Sequence, residues 1–494
     1  MAPFTAWLPV RPNQDFDLVV KLVGPGASVL LKEWTPIAHS LIERGFAVMA
    51  QSGRLNGNCG DFVLKIRIAT REFYSMGDGC DVLVHLGDNV PEFSRFSLQP
   101  GSVLLWEPPK ELQLHLVLPE EIIAYPIPFT DLSAQYAEGL SGKGLAALGV
   151  LLHLLGVPEE SLHHLTEVLP APRSFASGWD FARRAIKKHD AYSLPLPASE
   201  DGPSRMILTP EQAIMVGFAV SSCECQTMCD HELIHSTTHW MARHTEMAGA
   251  IVSVLQSDSH PGVQAYRGPQ GRVMAVLRGD DSAIASCLSG FDTPRVFVAA
   301  DIPDALRLLI EGHDLIRSGL SDGVGVLIEE TVALRHQSVE IPSLVEMIRR
   351  RSVVIPETIM PHQSETVDAM VGQDGDREAD VGFVAWGAAQ GVVRDAVTLC
   401  RSFGFNVVGF YPKVIVPFPQ EELEAFAGTV DRVVLVESSQ MQGYEKRLRA
   451  ACSLQPEVLR PLLGQSLTPM DIFLREGLGA LGTTMGRSCR NETV

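Results

Sequence analysis

The stretch that decides the fold is VGFVAWGAAQGVVRDAVTLCRSFG (381–404), followed by FNVVGFY (405–411). Val381–Trp386 is a β-branched and aromatic run of strand length, and Gly387 supplies a turn. Gln390–Phe403 reads as a helix ended by Gly404, and Phe405–Tyr411 as a second strand. Pro417-Phe418-Pro419 precedes a helix from Gln420, and DRVVLVE (431–437) is a third strand. Parallel strands joined by helices imply a sheet covered on both faces.

The same alternation continues outward. DLVVKLV (17–23) is a strand ending in Gly24-Pro25-Gly26, followed by a helical stretch to Arg44. Strands recur at Phe46–Met49, Phe62–Ile68, Asp81–Leu86 and Val103–Leu105, and Gly144–Leu155 is a strongly apolar helix. A linker rich in Pro, Ser and acid covers residues 190–205. Beyond it come helices at Glu211–Ser221 and about 230–255. A strand follows at Arg295–Ala300, then a helix opened by Asp301 and Pro303, and a strand at Gly323–Ile328. A second linker runs from about 356 to 380. The expected class is α/β with three doubly wound domains at residues 1–190, 205–355 and 378–480, and a tail at 481–494.

At 494 residues the chain is long enough for about three domains. Forty basic against 59 acidic residues give a net charge of −19, which excludes nucleic-acid binding that rests on overall charge. A composition 46% hydrophobic and 20% charged is that of a globular protein. The longest apolar run, Gly144–Val157, is too short to span a membrane and contains His153, so it reads as a buried helix. The N-terminus has no basic stretch ahead of an apolar core, so the cytoplasm is the expected compartment. Nine scattered cysteines do not make a disulfide scaffold; only Cys223, Cys225 and Cys229 cluster.

Four constellations carry potential chemistry. Gly24-Pro25-Gly26-Ala27 follows a strand, but the dinucleotide pattern needs a glycine where Val29 stands, which favours a tight turn over a phosphate cradle. His231-Glu232-Leu233-Ile234-His235 is a literal HExxH: on a helix, two imidazoles one turn apart can share a zinc while the glutamate acts as base. With His239, Cys223, Cys225 and Cys229 it gathers six potential ligands within 17 residues. The extended HExxHxxGxxH form fails at Met241, and the bland alternative is a polar helix face lining a cleft. Glu246 stands alone on a helix. Arg267-Gly268-Pro269-Gln270-Gly271 is a turn whose backbone could approach a ligand.

VGFVAWGAAQGVVRDAV, the Pro417-Phe418-Pro419 triplet and VVLVESSQMQGYEKRLR resemble the C-terminal domain of the α subunit of 2-oxoacid:ferredoxin oxidoreductases. That domain has a strand ending in Trp-Gly-Ser, a Pro-Phe-Pro helix start, and a strand ending in Glu followed by Asn and Gly-Gln. Here Ala388 follows Trp386-Gly387, Glu437 is kept, Ser439 stands for the Asn, and Gln442-Gly443 is inverted. NCGDFVLKIRIA, CDVLVHLGDN and LQPGSVLLWEPP resemble the family's γ domain. LTPEQAIMVGFAVSSC resembles the opening helix of its pyrimidine-type thiamine-enzyme domain. The chain therefore resembles a γ–α fused subunit of the 2-oxoglutarate/indolepyruvate type, with a γ-like, a pyrimidine-type and a transketolase C-terminal-like domain. VALRHQS (332–338) is similar to the indolepyruvate branch.

The resemblance implies a subunit acting in oxidative decarboxylation of a 2-oxoacid to an acyl-CoA, with coenzyme A as co-substrate. It implies a partner β subunit that shares thiamine diphosphate and holds magnesium and a [4Fe–4S] cluster, passing electrons to ferredoxin or a similar acceptor. HTEMAGA aligns with the family's acidic helix, which makes Glu246 the glutamate at the aminopyrimidine. Cys229, Asp230 and His231, with Arg267, Gly268 and Gly271, would line the substrate and cofactor pocket. The family's Tyr-Pro-Ile-Thr-Pro loop is replaced by Thr227-Met228-Cys229-Asp230-His231. That departure sustains two alternatives: a non-catalytic scaffold or regulatory paralogue, and zinc-dependent hydrolysis at His231 and His235 with Cys223 and Cys225 as further ligands.

Overall fold

The computed structural model describes residues 16–25, 27, 30–54, 62–87, 98–108, 121–136, 139–195, 205–210, 212–214, 217, 263–267, 273–278, 294–329, 332, 335–340, 371–374, 378–438, 443–452, 454–461 and 466–475. The first block runs β1 (Asp17–Val23), α1 (Leu30–Ile42), β2 (Ala47–Arg54), β3 (Phe62–Ala69), β4 (Cys80–His85), β5 (Leu98–Trp106) and β6 (Ile123–Pro126). It continues with α2 (Phe129–Ala134), α3 (Gly139–Leu154), α4 (Glu159–Val168) and α5 (Pro172–Ala185). The middle block holds β7 (Arg205–Leu208), β8 (Val263–Arg267), β9 (Val273–Arg278), β10 (Pro294–Ala299), α6 (Ile302–Arg317), β11 (Gly323–Ile328) and β12 (Arg335–Glu340). The last block holds β13 (Val371–Asp374), β14 (Ala379–Ala385), α7 (Ala389–Ser402), β15 (Val407–Pro412) and β16 (Val414–Val416). It ends with α8 (Gln420–Ala427), β17 (Val430–Val436), α9 (Gly443–Ala451) and β18 (Glu457–Leu459).

The strands form three sheets among the described residues, in the orders β6-β5-β4-β1-β3-β2-β12-β7, β16-β10-β11-β9-β8 and β13-β15-β14-β17-β18. The α/β class expected from the sequence is what the structure shows. The first sheet is mixed, however, and not wholly parallel. β1, β4, β5 and β6 are parallel neighbours, whereas β3 pairs antiparallel with both β1 and β2. Only residues 55–61 separate β2 from β3, too few for the crossover a parallel pair requires.

One face of the first sheet carries Leu18, Val20 and Leu22 of β1 with Leu64 and Ile66 of β3, packed against Trp34 and Ile37 of α1 and the apolar α3. From Leu145 to Leu152 every residue of α3 is buried, as expected of a helix apolar on all sides. The opposite face carries Lys21, Lys65 and Arg67, where the last block docks.

The blocks exchange strands. β7 and β12, which lie beyond the first linker in sequence, extend the first sheet past β2 through Arg335↔Gln51 and Gln337↔Leu208 pairings. β16 leaves the last block to pair antiparallel with β10, with Val296 opposite Val416. Pro417-Phe418-Pro419 does precede a helix at Gln420, and Asp301 does cap α6, its side chain accepting from the Asp304 N–H.

Candidate functional site

Glu246, Cys223, Cys225, Cys229, Asp230, His231, His235, Gly268 and Gly271 lie outside the described residues. Of the predicted pocket residues, Arg267 is described as the last residue of β8, paired with Val273 at the start of β9. β9, β11 and β10 run parallel, so the Arg267 end of the hairpin lies at their N-terminal edge. The Gly24 turn is tight: Gly24 takes φ +126°, and a Cβ there would lie 2.8 Å from the Gly87 nitrogen. That close approach agrees with the turn reading of Gly24-Pro25-Gly26-Ala27.

The opposite, C-terminal edge of the middle sheet gathers charge that the sequence did not single out. Open α/β sheets bind ligands at this edge. Asp301 and Asp304 follow β10, Glu329 follows β11, and Arg335 opens β12. Lys413 arrives beside β10 because β16 pairs there, its carbonyl accepting from the Val298 N–H at 2.8 Å. Its ammonium forms a short ion pair with Asp304. Asp304 also accepts from Arg307 at 3.0 Å and from the Ala300 N–H at 3.1 Å. Burial pushes the Asp304 carboxyl up, but Lys413 and Arg307 outweigh it and hold it below the usual carboxylate range. Burial and the neighbouring Asp304 charge raise Asp301. Arg335 is 5% exposed; it donates from Nε to Gln51 Oε1 at 3.0 Å, and its Nη1 has no hydrogen-bond partner among the described residues. Burial lowers its pKa against the raising effect of Asp301 and Glu329. This edge thus sets one buried guanidinium beside carboxyl groups of unlike proton affinity.

Glu329 joins the middle and last blocks. Its carboxylate accepts from the Ala388 N–H and, at 3.1 Å, from the Ser438 hydroxyl. Glu437, 2% exposed, accepts from Arg460 Nε at 2.7 Å and from the Glu445 N–H at 3.0 Å. The family-like Glu437 is therefore the buried anchor of an arginine in this chain.

The donor chemistry of the described residues does not suit an iron–sulfur cluster. Cys80, Cys400 and Cys452 are free, buried thiols on separate elements. Burial pushes Cys80 up to about 12 and Cys400 up to about 11, whereas cluster ligation needs thiolates. Among the described residues no group of three His, Cys, Asp or Glu is arranged to hold a metal ion. No described helix is long and apolar enough to cross a membrane.

The fold and the charged edge define an α/β chain of three interlocked sheets with a doubly wound C-terminal domain. Residues 379–461 match pyruvate:ferredoxin oxidoreductase core domain II. The fold is that of a 2-oxoglutarate:ferredoxin oxidoreductase from Magnetococcus marinus, solved with 2-oxoglutarate, coenzyme A and succinyl-CoA bound. The TM-score is 0.70 at 18% identity, over 93% of this chain and 99% of that one. A keto/oxoacid ferredoxin oxidoreductase γ subunit from Geobacter sulfurreducens matches 35% of this chain and 99% of its own length at 20% identity. A pyruvate oxidoreductase subunit from Thermotoga maritima matches 33% of this chain and 96% of its own length at 16% identity. Their TM-scores, 0.28 and 0.25, add nothing to the fold assignment. No curated protein matches the chain. The C-terminal domain match and the fold agree with the resemblance read from the sequence.

Proposed function

We propose that this chain is the γ–α fused subunit of a thiamine-dependent 2-oxoacid:ferredoxin oxidoreductase. The observation that supports this reading is the match to core domain II at residues 379–461, in a chain whose fold is that of a 2-oxoglutarate:ferredoxin oxidoreductase. In the proposed reaction the 2-oxoacid loses carbon dioxide, the acyl group passes to coenzyme A, and two electrons leave for ferredoxin. A partner β subunit shares thiamine diphosphate and carries magnesium and the [4Fe–4S] cluster. Glu246 is the proposed acid at the aminopyrimidine of the cofactor. Cys229, Asp230 and His231, with Arg267, Gly268 and Gly271, are the proposed pocket lining. The proposed domains are 1–190, 205–355 and 378–480.

The test is 2-oxoacid-dependent reduction of a viologen by the complete complex, with thiamine diphosphate and coenzyme A present. Turnover is expected, with Glu246→Ala about 100-fold slower or worse, the size of a lost acid–base contribution. Turnover absent with every 2-oxoacid tried would overturn the reading. One sequence observation favours a second reading: Thr227-Met228-Cys229-Asp230-His231 occupies the place of the family's threonine loop. A complex whose activity is untouched by Glu246→Ala would make this chain a scaffold.

A further inference from the structure

The C-terminal sheet has a crevice at its strand ends. β14 and β17 are parallel neighbours. β14 leads through α7 to β15 on one side, and β17 leads through α9 to β18 on the other. The chain thus leaves these two strands in opposite directions, which creates the switch point where doubly wound sheets hold ligands. The N-terminus of α7 opens there, and such a terminus attracts an anion. Its N-cap, Ala388, provides no side-chain cap.

Glu329 of the middle block fills that place. One carboxylate oxygen accepts from the Ala388 N–H, on the β14 side of the crevice. The other accepts from the Ser438 hydroxyl at 3.1 Å, on the β17 side. Gly387 takes φ +53° beneath it, and a Cβ there would lie 2.3 Å from Glu329 Oε2 and 2.9 Å from its carboxyl carbon. The turn is shaped around a carboxylate that comes from 59 residues away in sequence.

We infer that Glu329 is an internal ligand: its carboxylate occupies the anion position of the C-terminal domain's own crevice and locks that domain onto the C-terminal edge of the middle sheet. The crevice is thereby closed to anions from solution, and the domain serves as a docking module. A free carboxylate should compete only when Glu329 is removed.

The experiment uses the full chain, with formate as the probe. Glu329→Ala is expected to lower Tm by several degrees and to lose amide-exchange protection over residues 386–392. Sodium formate should restore both saturably in Glu329→Ala, while leaving the wild type no more affected than by sodium chloride at equal ionic strength. A variant with wild-type Tm and protection, or formate and chloride acting alike on both proteins, overturns the inference. Should Glu329→Ala fail to fold, Glu329→Gln should fold with a lowered Tm, and a wild-type Tm would count against the lock. Gly387→Ala gives an independent reading. Its Tm loss should shrink in the Glu329→Gly background, where the clashing carboxyl is gone, and an equal loss in both backgrounds contradicts the inference.

Discussion

Arg67 on β3 and Asp395 on α7 form an ion pair of 2.8 Å across 328 residues of chain, with side-chain exposures of 6% and 14%. The same guanidinium holds Asp17 at 2.8 Å and donates to the Ser75 carbonyl. Asp395 in turn accepts from the Tyr74 N–H, the Ser75 N–H and the Ser75 hydroxyl. Burial alone would lower the Arg67 pKa, but Asp17 and Asp395 outweigh it and raise it. The loop between β3 and β4 is thus the joint between the first and last blocks.

Removing one partner of a buried pair strands the others without compensation. Arg67→Ala leaves two enclosed carboxylates and should cost about 3–5 kcal/mol of stability. Asp395→Asn keeps the shape, and Arg67 keeps Asp17, so its cost should be about 1–3 kcal/mol. Thermal unfolding of both variants checks the order; a larger loss for Asp395→Asn would contradict the central place of Arg67.

A methyl group should wedge the same joint apart. A Cβ on Gly391 would lie 2.1 Å from the Tyr74 carbonyl oxygen, a backbone atom with no freedom to turn aside. Gly391→Ala should cost about 1–3 kcal/mol by overpacking and raise hydrogen exchange over residues 72–78. Unchanged exchange there would place the strain elsewhere.

Two groups beneath this joint, a half-buried lysine and a buried cysteine, give opposite pH slopes. Lys65 donates to the Gly77 carbonyl at 3.1 Å. Burial, then the Lys21 charge, pull its pKa down to about 7 against the pull of Asp78 and Cys80, with Arg67 lowering it further. The unfolded chain keeps that lysine protonated to about pH 10. It binds more protons than the fold above pH 7, so stability should rise from there. Cys80 is pushed up to about 12 by burial. The unfolded thiol ionises near pH 8.5, so this group lowers stability above about that pH. Urea midpoints should show Lys65→Met flattening the rise between about pH 7 and 8.5. Cys80→Ala should prolong that rise. A Lys65→Met curve parallel to the wild type would refute the assignment.

The cluster at residues 223–239 separates the hydrolase reading from the proposed one. Under the proposed function, zinc is not needed by this chain: elemental analysis should find it well below one per chain, and EDTA in the presence of excess magnesium should leave complex turnover unchanged. One zinc per chain, lost in His231→Ala and in His235→Ala, would instead support the HExxH alternative.

The last block was the most legible part of the sequence. Its strands and helices alternate in unbroken runs, and Gly387, Gly404 and the 417–419 triplet punctuate them. The exchanged strands were not legible. β16 has three residues and β7 four, too short for a period to emerge; the partner of β16 lies in another block, and that of β7 is β12, far along the chain. β12 reads Arg-His-Gln-Ser-Val-Glu, a polar run that becomes a strand because β2 and β7 flank it. The charged edge was half legible. Asp301 reads as the opening of a helix, but its meeting with Lys413 depends on β16 crossing to β10, and nothing local in the sequence encodes that. Glu329 likewise gains its meaning only from Ala388 and Ser438, far along the chain.

The most direct test is anaerobic affinity purification of the tagged full chain from its native host. Mass spectrometry would identify what copurifies, and cofactor analysis would measure thiamine diphosphate and iron. The account predicts a stoichiometric partner subunit with thiamine diphosphate and an iron–sulfur cluster in the recovered complex. Recovery of the chain alone, free of both cofactors, would contradict it.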